Sequence, residues 1–179
     1  MDYAALFQTL YPGFFDQKNI RAMDPEDVCE ELVLDLRAPA PALPPLPCPE
    51  NIRFAVYTGD MDALRALVAR VDESWPPFFE DDSRVFCALD GEKPVSFCLL
   101  EGMGEGQGLR VGGPGCVGTD PDHRGRGIGL AMVQRATDIL RREGYDLSWI
   151  HYTHIGPWYQ KLGYVPVVRW NREGILRQP

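Results

Sequence analysis

The chain has 179 residues, 45% of them hydrophobic, with 18 basic against 26 acidic side chains and a formal net charge of −8. That content supports one core-forming globular domain with a decoration, and its acidity argues against general phosphate-backbone binding, which needs a basic face. No basic-flanked apolar leader and no apolar run of membrane-spanning length is visible, so the expectation is a cytoplasmic protein with neither nucleic acid nor membrane as partner.

Residues 1–37 read as mainly helical. Tyr3, Leu6, Phe7 and Leu10 form one stripe, and Pro12-Gly13 breaks it. Asp24-Pro25 has the form of an N-cap followed by proline at the first helical position, which predicts a second helix carrying Val28, Leu32 and Val33. Leu34 to Leu36 is open to a short strand instead. Residues 38–49 hold six prolines, at 39, 41, 44, 45, 47 and 49, and read as a stiff, solvated connector. The domain boundary is placed there, with an extension over 1–48 and the main domain over 49–179.

From Ile52 the pattern changes. Ile52 to Tyr57 alternates as a strand, Met61 to Val71 is helical with Leu64, Leu67, Val68 and Val71 inward, and Trp75 to Phe79 is an aromatic loop or short helix. Arg84 to Leu89 and Pro94 to Leu100 form a hairpin about Asp90-Gly91. Gly102, Gly104, Gly106 and Gly108 mark a mobile loop. A strand follows from Leu109 to Thr119, in which Gly112, Gly113, Pro114 and Gly115 predict a bulge or kink. Then come a helix over Gly127 to Arg142, a strand over Leu147 to Tyr152, a short helix over Pro157 to Leu162 and a last strand over Val165 to Trp170. The fold class is therefore α/β, a mixed and mostly antiparallel sheet flanked by helices. The five cysteines, 29, 48, 87, 98 and 116, include no Cys-x-x-Cys pair. They read as buried thiols in a reducing compartment, with no metal site.

One stretch carries chemistry. Val117-Gly-Thr119-Asp-Pro121-Asp-His-Arg124-Gly125-Arg126-Gly127-Ile128-Gly129-Leu130 takes a strand end through a basic, glycine-rich turn into a helix. A helix N-terminus with bare backbone N–H groups attracts anions, and glycine allows phosphate to approach closely. A Walker loop needs Gly-Lys-Ser/Thr and a dinucleotide fingerprint needs Gly-x-Gly-x-x-Gly; neither spacing is met. What remains, Arg124-x-x-Gly127-x-Gly129, resembles the acyl-coenzyme A loop of the GNAT superfamily of N-acetyltransferases. Trp158-Tyr159-Gln-Lys161-Leu162-Gly163-Tyr164 resembles the late aromatic segment of the same family. The similarity covers about residues 52–170.

The resemblance implies an N-acetyltransferase that moves an acetyl group from acetyl-CoA, its co-substrate, to a primary amine of a small molecule or peptide. The alternative is a non-catalytic acyl-CoA sensor; a homodimer is compatible with either. The main chain at Val117 and Thr119 would pair with the pantetheine arm, and the amides of Gly125 to Leu130, with Arg124 and Arg126, would hold the diphosphate. The thioester would lie where the strand ending at Thr119 and the strand Leu147–Tyr152 part. Tyr159 matches the tyrosine that protonates the departing sulfur. The strand Leu109–Thr119 has no acid where many members place a glutamate, so Glu101 or His154 stands as candidate base. His151 and Tyr152 read as strand residues that pack or shape the pocket. The asparagine common before the last helix is absent, and Gly156-Pro157 stands in that interval.

Overall fold

The computed structural model describes residues 1–176. Its elements in chain order are α1 (Tyr3–Leu10), α2 (Lys18–Arg21), β1 (Cys29–Asp35), β2 (Ile52–Val56), α3 (Met61–Val71), β3 (Val85–Asp90), β4 (Lys93–Gly106), β5 (Leu109–Thr119), α4 (Ile128–Arg142), β6 (Leu147–Thr153), α5 (Gly156–Gln160), β7 (Val165–Asn171) and β8 (Gly174–Ile175). The strands form a sheet in the order β2-β3-β4-β5-β6-β1-β7-β8. It is mostly antiparallel, with β5 and β6 parallel, and helices flank it, as the sequence pattern predicts.

The chain divides into two compact units. The first comprises residues 1–41, 102–112 and 144 onward. Here α1 forms as expected: Asp2 caps it by accepting from the Ala5 amide at 3.0 Å, and Leu6 and Phe7 are buried. The second expected helix does not form. The Asp24 carboxylate accepts from the Glu26 amide at 2.9 Å and the Asp27 amide bonds back to the Asp24 carbonyl at 3.1 Å, but that single turn gives way to β1. The reason is tertiary: β1 lies between β6 and β7, pairing Val33 with Trp149 on one side and with Val165 on the other. Ladder bonds on both edges satisfy the backbone groups a helix would satisfy locally, while Leu32 and Val33 become buried.

The glycines at 102, 104 and 106 are not a loop either, because β4 continues through them to Gly106. Side chains pack closely against two of them, Gly102 and Gly106, and the third, Gly104, takes φ +112°. A Cβ on Gly106 would stand 2.5 Å from Leu6 Cδ1, and one on Gly102 2.9 Å from the Tyr145 hydroxyl. The core of this unit gathers Leu6, Phe7, Phe14, Val111, Trp149 and Trp170.

The second unit comprises residues 42–101 and 113–143. Asp60 caps α3 through the Asp62 amide, and Leu64, Leu67 and Val68 face inward. They pack with Phe79, Cys87 and Phe97. β5 runs continuously through Gly112, Gly113, Pro114 and Gly115, where the sequence pattern predicts a bulge or kink, and Cys116 just beyond them takes φ +44°. Gly118 is fixed by packing, since a Cβ there would lie 2.3 Å from Phe97 Cζ and Phe97 is fully buried. Gly118→Val is expected to destabilise the protein by about 2 kcal/mol or more through overpacking, read as a lower midpoint in urea unfolding; an unchanged midpoint would refute this account of Gly118.

Candidate functional site

The loop between β5 and α4 is built on a buried charge. Asp120 is fully buried, its amide bonds to the Val95 carbonyl at 2.9 Å, and its carboxylate accepts from Arg70 Nη1 at 3.3 Å and from the Asp122 amide at 3.2 Å. Arg70 also donates to Asp122 at 2.9 Å, which holds the Asp122 carboxyl below the usual carboxylate range. These bonds fix the short 3-10 turn Pro121–His123. Just before it, the Ser96 hydroxyl donates to the Gly118 carbonyl at 2.6 Å and lies 2.9 Å from the Thr119 hydroxyl. Arg124 Nε donates to the Thr119 carbonyl at 3.2 Å.

The chain then enters α4 through two left-handed glycines, Gly125 at φ +73° and Gly127 at φ +76°. Gly127 is the N-cap and supplies no side-chain bond. The first intrahelical bond of α4 runs from the Ala131 amide to the Gly127 carbonyl, which leaves the amides of Ile128, Gly129 and Leu130 as the orphan donors of the first turn. Space beside Gly125 is open. On the other side, the Pro47 carbonyl oxygen stands 1.6 Å from where a Gly127 Cβ would lie, so the end of the proline-rich connector rests on this turn. Arg126 is exposed. Orphan amides, an open glycine and two arginines form a donor set that fits a diphosphate.

Val117 to Leu130 and Glu101 belong to the second unit; Tyr159 and His154 belong to the first. Tyr159 lies on α5 and is only 5% exposed. The Trp158 ring meets it edge-on at 4.8 Å, and the Leu162 amide bonds to its carbonyl at 2.9 Å. The Gly156-Pro157 start of α5 has a steric cause, since a Gly156 Cβ would fall 2.0 Å from Glu30 Oε2. Glu101 is exposed on β4, and its Oε2 lies 2.5 Å from the position of a Gly115 Cβ, so the missing side chain houses the carboxylate. His154 is exposed in the turn after β6, with Nδ1 3.3 Å from the Val28 carbonyl and Nε2 3.6 Å from Cys29 Sγ.

The sequence reading missed Glu31. This carboxylate is fully buried and accepts from Trp149 Nε1 at 2.6 Å, Trp170 Nε1 at 2.7 Å and the Tyr152 amide at 3.1 Å. His151 Nδ1 lies 2.9 Å from the same group. The only sequence signal was an acid inside an apolar run, because its partners lie far along the chain.

Burial favours the protonated form of all five thiols. Burial pushes Cys29, Cys87 and Cys116 up to about 12 and raises Cys98 well above its ordinary value; Cys48 is also raised by burial. Only the thiolate reacts. At pH 8 the native protein is therefore expected to resist iodoacetamide for as long as the guanidinium-unfolded chain takes to label all five positions. A fast-reacting thiol in the native state, seen by mass spectrometry, would contradict this. No helix among the described residues is long and apolar enough to cross a membrane.

With the geometry in place, comparison with known proteins is informative. Residues 81–166 match the profile of the acetyltransferase (GNAT) domain. No curated protein matches the sequence. Among solved structures, the glucosamine N-acetyltransferase region of a fungal multi-domain β-N-acetylglucosaminidase is similar with a TM-score of 0.64 and 19% identity, over 82% of this chain and 20% of that one. A GCN5-related N-acetyltransferase from Sphaerobacter thermophilus gives 0.61 and 21%, over 83% and 51%. Another from Kribbella flavida gives 0.58 and 20%, over 88% and 62%. The chain thus spans between a fifth and three fifths of the length of these proteins. At such identities the likeness is one of fold, and it agrees with the sequence match: the chain carries a GNAT acetyltransferase domain, matched over residues 81–166.

Proposed function

We propose that this chain is an acetyl-CoA-dependent N-acetyltransferase acting on a primary amine of a small molecule or peptide by direct attack on the thioester. The observation that carries the reading is the start of α4, where a glycine N-cap without a side-chain bond leaves first-turn amides without an intrahelical partner, next in sequence to Arg124 and Arg126. Main-chain donors of Gly125 to Leu130 hold the diphosphate, and the main chain at Val117 and Thr119 pairs with the pantetheine arm. Tyr159, protonated at neutral pH by the nature of a phenol, supplies the proton to the departing sulfur. Glu101 and His154 are the bases that the sequence offers. Five unpaired thiols fit a reducing compartment such as the cytoplasm.

The acceptor amine must be neutral to attack. At pH 7, deprotonating a lysine-like amine costs roughly 4–5 kcal/mol and an α-amine of pKa about 8 only about 1 kcal/mol. Amines of low basicity are thus the first substrates to try. The fungal region named above acts on glucosamine, so amino sugars belong in the same panel.

Titration calorimetry with acetyl-CoA tests the binding half, and thiol release in the presence of an amine panel tests the transfer half. Tyr159→Phe is expected to lower kcat by about 100-fold or more while the Kd for acetyl-CoA stays within about twofold. No heat of binding at millimolar acetyl-CoA would end this reading. Binding without thiol release for any amine would favour the acyl-CoA sensor.

A further inference from the structure

We propose that Arg70 is a positioning residue for the anion loop, offsetting from α3 the charge of the two carboxylates, Asp120 and Asp122, that lead into it; the inference rests on the acetyl-CoA reading above. Between Thr119 and Leu130 the chain carries two aspartates and two arginines. By its own carboxylates and guanidiniums the loop therefore offers a diphosphate no surplus of positive charge. Both aspartates precede the amide donors, and Asp122 is only three residues from Gly125. Left uncompensated, their charges would repel the anion that the amides hold.

Arg70 supplies what the loop lacks. It stands in the last turn of α3, 50 residues before Asp120. Its guanidinium meets Asp120 as a fork: Nη1 donates to Oδ2 at 3.3 Å, and Nη2 lies 3.2 Å from Oδ1. Nη2 also donates to Asp122 Oδ2 at 2.9 Å. One cation thus serves two anions in different settings, since the Asp120 side chain is fully covered and that of Asp122 is 74% exposed. The fork gives the buried carboxylate the partner it needs and holds the turn in shape. The second bond ties down the carboxylate nearer in sequence to the glycines. Arg70 keeps the Asp122 carboxyl below the usual carboxylate range, so this residue is an anion at neutral pH.

The other basic groups nearby do less. His123 Nδ1 lies 3.5 Å from Asp120 Oδ2, and its Nε2 lies 3.9 Å from Asp90 Oδ2; both distances exceed those of a good hydrogen bond. Lys93 acts on Asp122 through space. Arg124 is engaged with the Thr119 carbonyl. All of these groups belong to the second unit. Arg70 therefore acts on ligand binding through the two carboxylates. Its loss should weaken binding in a way that depends on salt and is relieved when the charge of Asp122 is removed. A residue that served folding alone would show neither behaviour.

The test is titration calorimetry of acetyl-CoA with the full chain, at about 20 mM and about 300 mM salt, which differ strongly in screening. At the lower salt Arg70→Gln is expected to raise the Kd about 10-fold, with the gap to wild type narrowing at the higher salt. Arg70→Lys keeps the charge and should lose less. Adding Asp122→Asn to Arg70→Gln should recover most of the affinity. Breaking a pair that holds a buried carboxylate is strongly destabilising, so a second variant stands by itself: Asp122→Asn alone, at an exposed position, should bind about threefold tighter than wild type at the lower salt. Should Arg70→Gln not fold by circular dichroism, binding by Asp122→Asn that is no tighter than wild type overturns the proposal. In a folded Arg70→Gln, a wild-type Kd overturns it, as does a loss that salt does not reduce, that Arg70→Lys shares in full or that Asp122→Asn does not relieve. Failure of the wild-type chain to bind acetyl-CoA is the distinct outcome that removes the underlying reading.

Discussion

A carboxylate taken fully out of water dictates much of the first unit. Desolvating Glu31 carries a penalty of several kcal/mol, and the fold offsets it with donors drawn from both neighbouring strands: the Trp149 indole on β6 and the Trp170 indole on β7, together with the Tyr152 amide, while His151 Nδ1 lies 2.9 Å away. The carboxylate therefore cross-links β6, β1 and β7 through side chains as well as through the ladder. It also fixes register. A one-residue slip of β1 would turn Glu31 to the opposite face and strand two buried indole N–H groups, each a group that is expensive to leave unpaired. Tyr152 takes φ +54° at the point where its amide reaches the carboxylate, so local backbone strain accompanies the bond.

The second unit solves a different electrostatic problem. Its loop leaves the first-turn amides of α4 without a capping side chain while keeping its own shape, and buried Asp120 does the shaping. Asp120 is buried and engaged by Arg70 and the turn's own backbone, and Asp122 and Arg124 brace the same turn. Gly125 and Arg126 are exposed at the entry to α4. The orphan donors of a helix start are normally satisfied by a capping side chain; Gly127 provides none, and a side chain there is barred both by its φ and by the Pro47 carbonyl.

What the sequence made legible were the features set by local chemistry. The α3 boundaries follow from Asp60 and a regular apolar stripe, α4 from the glycine turn and its periodic core face, and the loop itself from residues adjacent in the chain. The errors arose where distant contacts decide. Asp24-Pro25 reads as a helix start, and the Asx turn it forms is real, yet the two-sided pairing of β1 outweighs local preference. Gly102 and Gly106 look like loop residues until Tyr145 and Leu6 are seen to lie against them. Glu31 is unremarkable in sequence because Trp149, His151 and Trp170 reach it only after the sheet has formed.

The order of the strands also bears on how the molecule is made. β1 emerges from the ribosome more than a hundred residues before its partners: Cys29 pairs with Trp170 and Val33 with Trp149. Contacts of such long range are slow to close, since chain entropy is lost before any pairing rewards it. Until those strands are made, Leu32 and Val33 wait unpaired, as an apolar segment with two open edges and therefore a template for wrong associations. The first unit is accordingly sealed only when β1 slots between two strands translated much later.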